Sequence, residues 1–238
     1  MAQYYFQKKR DYNLATGSDE NHKEDSEDSK DSKKPKTDIW NGNTDAPTIE
    51  ICKNHIYFYC GVTKKTCLKL NHELRKLENS ILNDGKTLLK KDKFIYIHIN
   101  SFGGSVFAAL STIDTIKLLK VPVVSIIEGA AASAATMISV VCDYRIIYPN
   151  SFMLIHQLSS STWGKMHELE DEMENLKKLM DKIKEIYMKY AKMNEKELND
   201  ILKRDIWWNS KKCLETGLVD EVYENKKIYK FNRNNLDL

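Results

Sequence analysis

Ser133 sits in "GAAASAATM", Gly129 to Met137, a run of small residues that follows the apolar segment "VPVVSIIE". A Ser among Ala residues is more often a packing position than a nucleophile, because small side chains are common where helices start. A serine nucleophile needs partners: a base to take its proton, an acid to orient that base, and two backbone N–H groups aimed at the developing oxyanion. The chain holds candidates for each part. His156 closes the apolar run "FMLIH". Gly103 and Gly104 follow "KFIYIHI", where a backbone without side chains can approach a substrate carbonyl and turn its N–H groups outward. The N–H of Ala134, next after Ser133, is a second donor, at a helix start where the dipole favours negative charge. For the acid, Asp143, Asp171, Asp200 and Asp205 all remain open on residue type alone.

The elements that must position these groups read as α/β from about Ile49 onward. "HIYFYCG", "KFIYIHI", "VPVVSIIE", "YRIIY" and "FMLIH" have the composition of strands, with "NSFGG" and "PNS" as turns. "TCLKLNHELRKLENSIL" and "SVFAALSTIDTIKLL" carry apolar residues at helical spacing. Strands alternating with helices predict a largely parallel sheet with crossovers. The small-residue run around Ser133 is expected to open a helix. Farther on, Met166, Leu169, Met173, Leu176, Met180, Ile183, Tyr187 and Tyr190 step by three and four. This heptad seam predicts one helix of roughly 25 residues, about 37 Å long. Its stripe suits packing on its own chain or on a helix of another subunit, and the spacing does not choose between them. A further helix is predicted from Asn194, with Glu197 completing a capping box, and another from Ser210 to Gly217.

Composition narrows the functional classes. The 238 residues carry a net charge of only +3, which gives no support for nucleic-acid or membrane binding. The five cysteines contain no CxxC pair and are odd in number, which suits free thiols in a reducing compartment and argues against a zinc site. No apolar run is long enough to span a bilayer, and "MAQYYFQKKRDYN" lacks the apolar core of a signal peptide, so a cytoplasmic protein is expected. No cofactor and no metal are expected. Between Thr16 and Asp38 there is no aliphatic or aromatic side chain, which predicts a disordered tether or solvated tail. Tyr4, Tyr5 and Phe6 beside Lys8, Lys9 and Arg10 have the character of a docking peptide.

Four motifs in order, "NSFGGSV" at 100–106, "GAAASAA" at 129–135, "PNSFMLIHQ" at 149–157 and "NSKKCLETGLVD" at 209–220, resemble the proteolytic subunit family of the Clp protease. The resemblance covers roughly residues 49–223. It implies the superhelical βαβ core of the Clp protease and crotonase-like fold with a long handle helix. The expected division is an extension over 1–46, a catalytic domain over 47–231 and a short tail over 232–238. Carried over residue by residue, the nucleophile falls on Ser133, the base on His156 and the acid on Asp205. The oxyanion donors fall on the N–H groups of Gly104 and Ala134. Gly103, Ser105 and Val106 on one side and Ser159, Ser160 and Ser161 on the other are expected to sandwich a peptide by main-chain pairing. The handle seam, with Leu176 and Ile183, and Arg204 are expected at contacts between subunits of two stacked seven-membered rings. Several positions depart from the family pattern: Phe102 stands where proline is usual, Ala130, Ala134 and Ala135 replace bulkier or glycine residues around the serine, "HQLSSS" replaces a glycine-rich continuation, and Lys203 precedes Arg204.

The resemblance implies a serine endopeptidase acting on peptides and unfolded proteins, fed by an ATP-dependent unfoldase. Two rivals stand beside it. One is an acyl-CoA enzyme of the same superhelical fold, which would also use paired glycine N–H groups but leaves Ser, His and Asp unexplained. The other is a catalytically silent ring subunit acting as a scaffold.

Overall fold

Apolar residues alternate along "IYIHINS" so that Ile95, Ile97 and Ile99 all point into the core, and this strand lies inside a sheet built largely from parallel neighbours. The computed structural model describes residues 48–84 and 93–223. The expected extension over 1–46 and tail over 232–238 lie outside the described residues. The strands are β1 (Thr48–Cys52), β2 (His55–Tyr59), β3 (Ile95–Ser101), β4 (Val123–Ala132), β5 (Tyr144–Ile147), β6 (Phe152–Leu154), β7 (Trp208–Asn209) and β8 (Glu221–Val222). The helices are α1 (Lys64–Asp84), α2 (Val106–Leu118), α3 (Ala134–Val140), α4 (Met166–Tyr190), α5 (Glu195–Leu202) and α6 (Ser210–Glu215). The main sheet runs β1-β2-β3-β4-β5-β8 and is parallel apart from the β1–β2 hairpin.

β4 forks, and the fork makes the site. Its first half pairs with β5 through Val124–Ile127. After Gly129, at φ 80°, Ala130–Ala132 leave β5 behind and pair with β6. The small-residue run therefore extends the strand, and the helix opens only at Ala134. Alanine's helix propensity loses here because Ala131 has strand partners on both sides, Ser101 and Met153.

Three local features fasten the rest. Asn194 caps α5 in a reciprocal box with Glu197, as the spacing predicts. α6 is capped by Asn209 rather than by Ser210, whose hydroxyl donates instead to the Pro149 carbonyl. Arg145 on β5 binds both carboxylate oxygens of Asp220, at 2.8 and 2.6 Å, and donates to the carbonyls of Tyr190 and Gly217. This clamp ties the end of α4 and the turn after α6 to the sheet. Burial pushes the Asp220 carboxyl up, but the hydrogen bonds and charge of Arg145 outweigh it and hold it below the ordinary value.

The opposite face of the sheet carries a polar chain. His55 Nδ1 lies 2.8 Å from His98 Nε2, His98 Nδ1 lies 2.7 Å from Glu128 Oε1, and Tyr59 donates to the other Glu128 oxygen.

Ile183, read as an inter-subunit contact, is 4% exposed and belongs to the core of its own chain. The seam of α4 turns inward at its C-terminal end because α3 packs there, so Ile183, Ile186 and Tyr187 are covered intramolecularly. Leu176 is half-buried.

Candidate active site

The turn after β3 admits only glycine at two positions. Gly103 has φ 89° and Gly104 φ 146°. A Cβ on Gly103 would lie 2.5 Å from the Ala132 carbonyl oxygen and 2.8 Å from Ser133 Cβ, while one on Gly104 would run into the Val62 carbonyl. Val62 clamps the turn from the other side: its N–H donates to Gly103 O at 2.8 Å, and its carbonyl accepts from Ser105 N–H at 2.7 Å. Within the turn, the Gly103 N–H donates to Ser101 Oγ at 3.2 Å. The two glycine N–H groups thus have different surroundings, and Gly104 is the one that lines the cleft beside Ser133.

Ser133 occupies the N-cap of α3, where a serine ordinarily accepts a hydrogen bond from the helix's own N–H groups. Here its side chain makes no cap bond, and its backbone stands at φ 54°, ψ −126°. A non-glycine residue at such a φ costs about 1–3 kcal/mol and persists only where the surroundings impose it. They do: Ser133 N–H donates to Leu154 O at 2.8 Å, and its carbonyl accepts from both the N–H and the hydroxyl of Thr136, at 2.9 and 2.6 Å. Neither capping nor easy packing explains this serine.

His156 lies two residues beyond the end of β6, not within it. It is held by its neighbour, since Gln157 N–H donates to Leu202 O at the end of α5. The same contact brings the loop that carries Asp205 alongside. His156 Nδ1 is 4.0 Å from Asp205 Oδ1, with the histidine side chain 13% and the aspartate 72% exposed. That is ion-pair range, about 1 Å beyond a hydrogen bond. The edge of the Phe102 ring meets Trp207 at 6.1 Å between centroids, so the glycine turn and the Asp205 loop touch. Ser133 and His156 line one cleft together with Gly104, Val106, Met137, Gln157, Leu158, Ser159, Ile183 and Tyr187.

The Clp protease family profile matches residues 59–226, the span that contains all of these elements. The chain belongs to the Clp protease family. Among its relatives, the ATP-dependent Clp protease proteolytic subunit 2 of Treponema denticola is 36% identical over 141 residues, covering 58% of this chain and 70% of that protein. The ATP-dependent Clp protease proteolytic subunit of Streptococcus mutans is 35% identical over 140 residues, covering 57% and 71%. The chain is a peptidase of the Clp family.

Against this family background, the remaining expected residues divide. Val106 is buried in the cleft wall and opens α2, so the segment after the glycines is a helix start rather than a strand. Ser105 is occupied twice, its N–H by Val62 and its hydroxyl by Ala108 N–H at 3.3 Å as the cap of α2. Ser159 lines the cleft, while Ser160 and Ser161 are exposed beyond it. Arg204 is exposed, one residue before Asp205.

Residues that the sequence did not single out as part of the cleft line it as well. Met137, one turn after the serine, lines the cleft together with Ile183 and Tyr187 from α4. Thr136 joins the turn that carries Ser133 to Tyr187 through a hydroxyl contact of 2.6 Å. A hydroxyl three residues after the serine is the only linear trace of this arrangement. The buried thiols are unsuited to nucleophilic work: burial pushes Cys60 up to about 11 and Cys142 and Cys213 up to about 12. Among the described residues, no helix is long and apolar enough to cross a membrane.

Proposed function

We propose that this chain is a self-compartmentalising serine endopeptidase in which Ser133 is the nucleophile, His156 the general base and Asp205 the group that orients the histidine. Ser133 Oγ attacks the scissile carbonyl carbon as His156 takes its proton. The carbonyl oxygen, now negative, is met by the N–H groups of Gly104 and Ala134. His156 then returns the proton to the leaving amine, and water hydrolyses the acyl-enzyme by the same route in reverse. The observation that carries this reading is the strained, uncapped Ser133 in one cleft with His156 and Gly104. The 4.0 Å gap between His156 and Asp205 closes with a small movement of an exposed loop, as catalytic hydrogen bonds often do when substrate binds. The apolar wall of Met137, Ile183 and Tyr187 suits an apolar side chain before the cut.

The larger assembly follows from the same family reading. The proposed catalytic domain is 47–231. Relatives named as subunits of an ATP-dependent protease support an ATP-driven partner that delivers unfolded chains. Exposed Met166 and Met173 on α4 are suited to contact a second subunit, in the proposed arrangement of two stacked seven-membered rings.

The deciding experiment is hydrolysis of short fluorogenic peptides together with fluorophosphonate labelling. Wild type should label at Ser133. Ser133→Ala and His156→Ala should each lower kcat by roughly 10⁴ or more, and the double variant by little more than either. Additive losses, or full labelling of Ser133→Ala, would sink the assignment.

A further inference from the structure

We infer that Thr136 and Tyr187 are positioning residues that aim the Ala134 N–H at the oxyanion. The inference rests on the proposed serine chemistry and goes beyond it by naming what holds one of its donors.

The direction of the hydrogen bonds is forced. The Ser133 carbonyl can only accept, so the Thr136 hydroxyl, 2.6 Å away, spends its proton there. Thr136 Oγ1 is also 2.6 Å from the Tyr187 hydroxyl, and with its own proton committed it must accept from tyrosine. The result is one chain, Tyr187 O–H to Thr136 O–H to Ser133 C=O. Both side chains are buried, Thr136 fully and Tyr187 to 1% exposure, so water does not compete. Burial pushes the Tyr187 phenol well above its ordinary value, so it stays a donor across the working pH range.

The carbonyl at the end of this chain shares a peptide plane with the Ala134 N–H. In a trans peptide the C=O and the following N–H point in opposite directions across a rigid unit. Holding the Ser133 carbonyl toward Thr136 therefore aims the Ala134 N–H the other way. The aim needs holding, because Ser133 sits at φ 54°, a conformation the residue would leave if released. Thr136 N–H gives a second hold on the same carbonyl at 2.9 Å, but a hydroxyl braced by a buried phenol restricts the plane from another direction. Tyr187 belongs to α4 and Thr136 to α3, so the long helix reaches the nucleophile turn through this pair.

Such a role acts on the transition state and not on the bound substrate. Thr136→Val keeps shape and removes the hydroxyl. Losing an oxyanion donor outright costs about 10²–10³ in kcat, and tilting one should cost a part of that, about tenfold. KM for a short fluorogenic peptide should stay within about twofold, since ground-state contacts are untouched. Tyr187→Phe should lower kcat about threefold, again at constant KM. Thr136→Ser, which restores the hydroxyl, should recover most of the activity. Inhibition by a peptide aldehyde, which forms a tetrahedral adduct, should weaken in proportion to kcat. Circular dichroism melts identify any variant that fails to fold, and Tyr187→Phe then carries the test. Unchanged kcat in Tyr187→Phe and Thr136→Val, a parallel rise in KM, or a Thr136→Ser variant as damaged as Thr136→Val overturns the inference. A wild-type protein that does not label at Ser133 overturns the serine chemistry itself, which is a different result.

Discussion

The two halves of α4 share one apolar repeat and meet opposite surroundings. Met166 is 71% and Met173 54% exposed, while ten residues on Ile183 is packed into the core and Tyr187 reaches the turn that carries Ser133, through Thr136. The stripe steps by three and four throughout, so nothing in the spacing marks where one role ends. The difference comes from what lies opposite: α3 and the cleft cover the C-terminal half, while Met166 and Met173 stand outside the core cluster and largely open to solvent. Apolar periodicity announces that a face is built to be covered. It is silent on whether the cover is the same chain or another, which the contact geometry alone decides.

The comparison breaks most sharply at Ile183. Ile183→Asp buries an unpaired charge in the wall of the cleft beside Ser133, and should cost about 4 kcal/mol or more, with loss of a cooperative thermal transition. If the variant melts like wild type and only changes particle size, the C-terminal half is an interface after all.

The anchor at the end of that half should matter next. Arg145 grips the Tyr190 carbonyl while paired with Asp220, so Asp220→Ala leaves a buried guanidinium short of its partner. Breaking such a pair costs about 3 kcal/mol, read by urea denaturation. The pH dependence has a definite sign. The Asp220 carboxyl is held below its ordinary value, so its stabilisation is present above the unfolded pKa of about 4 and is lost as pH falls through the folded one. Asp220→Asn should flatten the acid limb of the stability curve; an unchanged limb would place the acid sensitivity in other groups, with Glu128, also held low, as the next to test.

The exposed half should respond least in stability and most in assembly. Met173→Asp should change the unfolding free energy by no more than about 0.5 kcal/mol, as surface substitutions usually do. Particle mass by light scattering should fall all the same. A destabilised subunit with an unchanged particle would remove the contrast between the halves.

What could be read along the chain was local: the strands and helices, the Asn194 cap, the glycine turn and the serine run, because propensity, capping and periodicity act within a few residues. Ser133, His156 and the glycines were legible as candidates by residue type, and Asp205 was a candidate only by resemblance, since four aspartates were chemically equal. Tertiary structure decided the rest. It drew the small-residue run into the forked end of β4, turned half of the heptad stripe inward, and showed Ser105 engaged by Val62 and Ala108. It also joined Thr136 to Tyr187 and Arg145 to Asp220 across 51 and 75 residues. Such pairs leave no period in the sequence, because a hydrogen bond between distant side chains depends on where the sheet and helices carry them, and neither residue's neighbours encode the other's place.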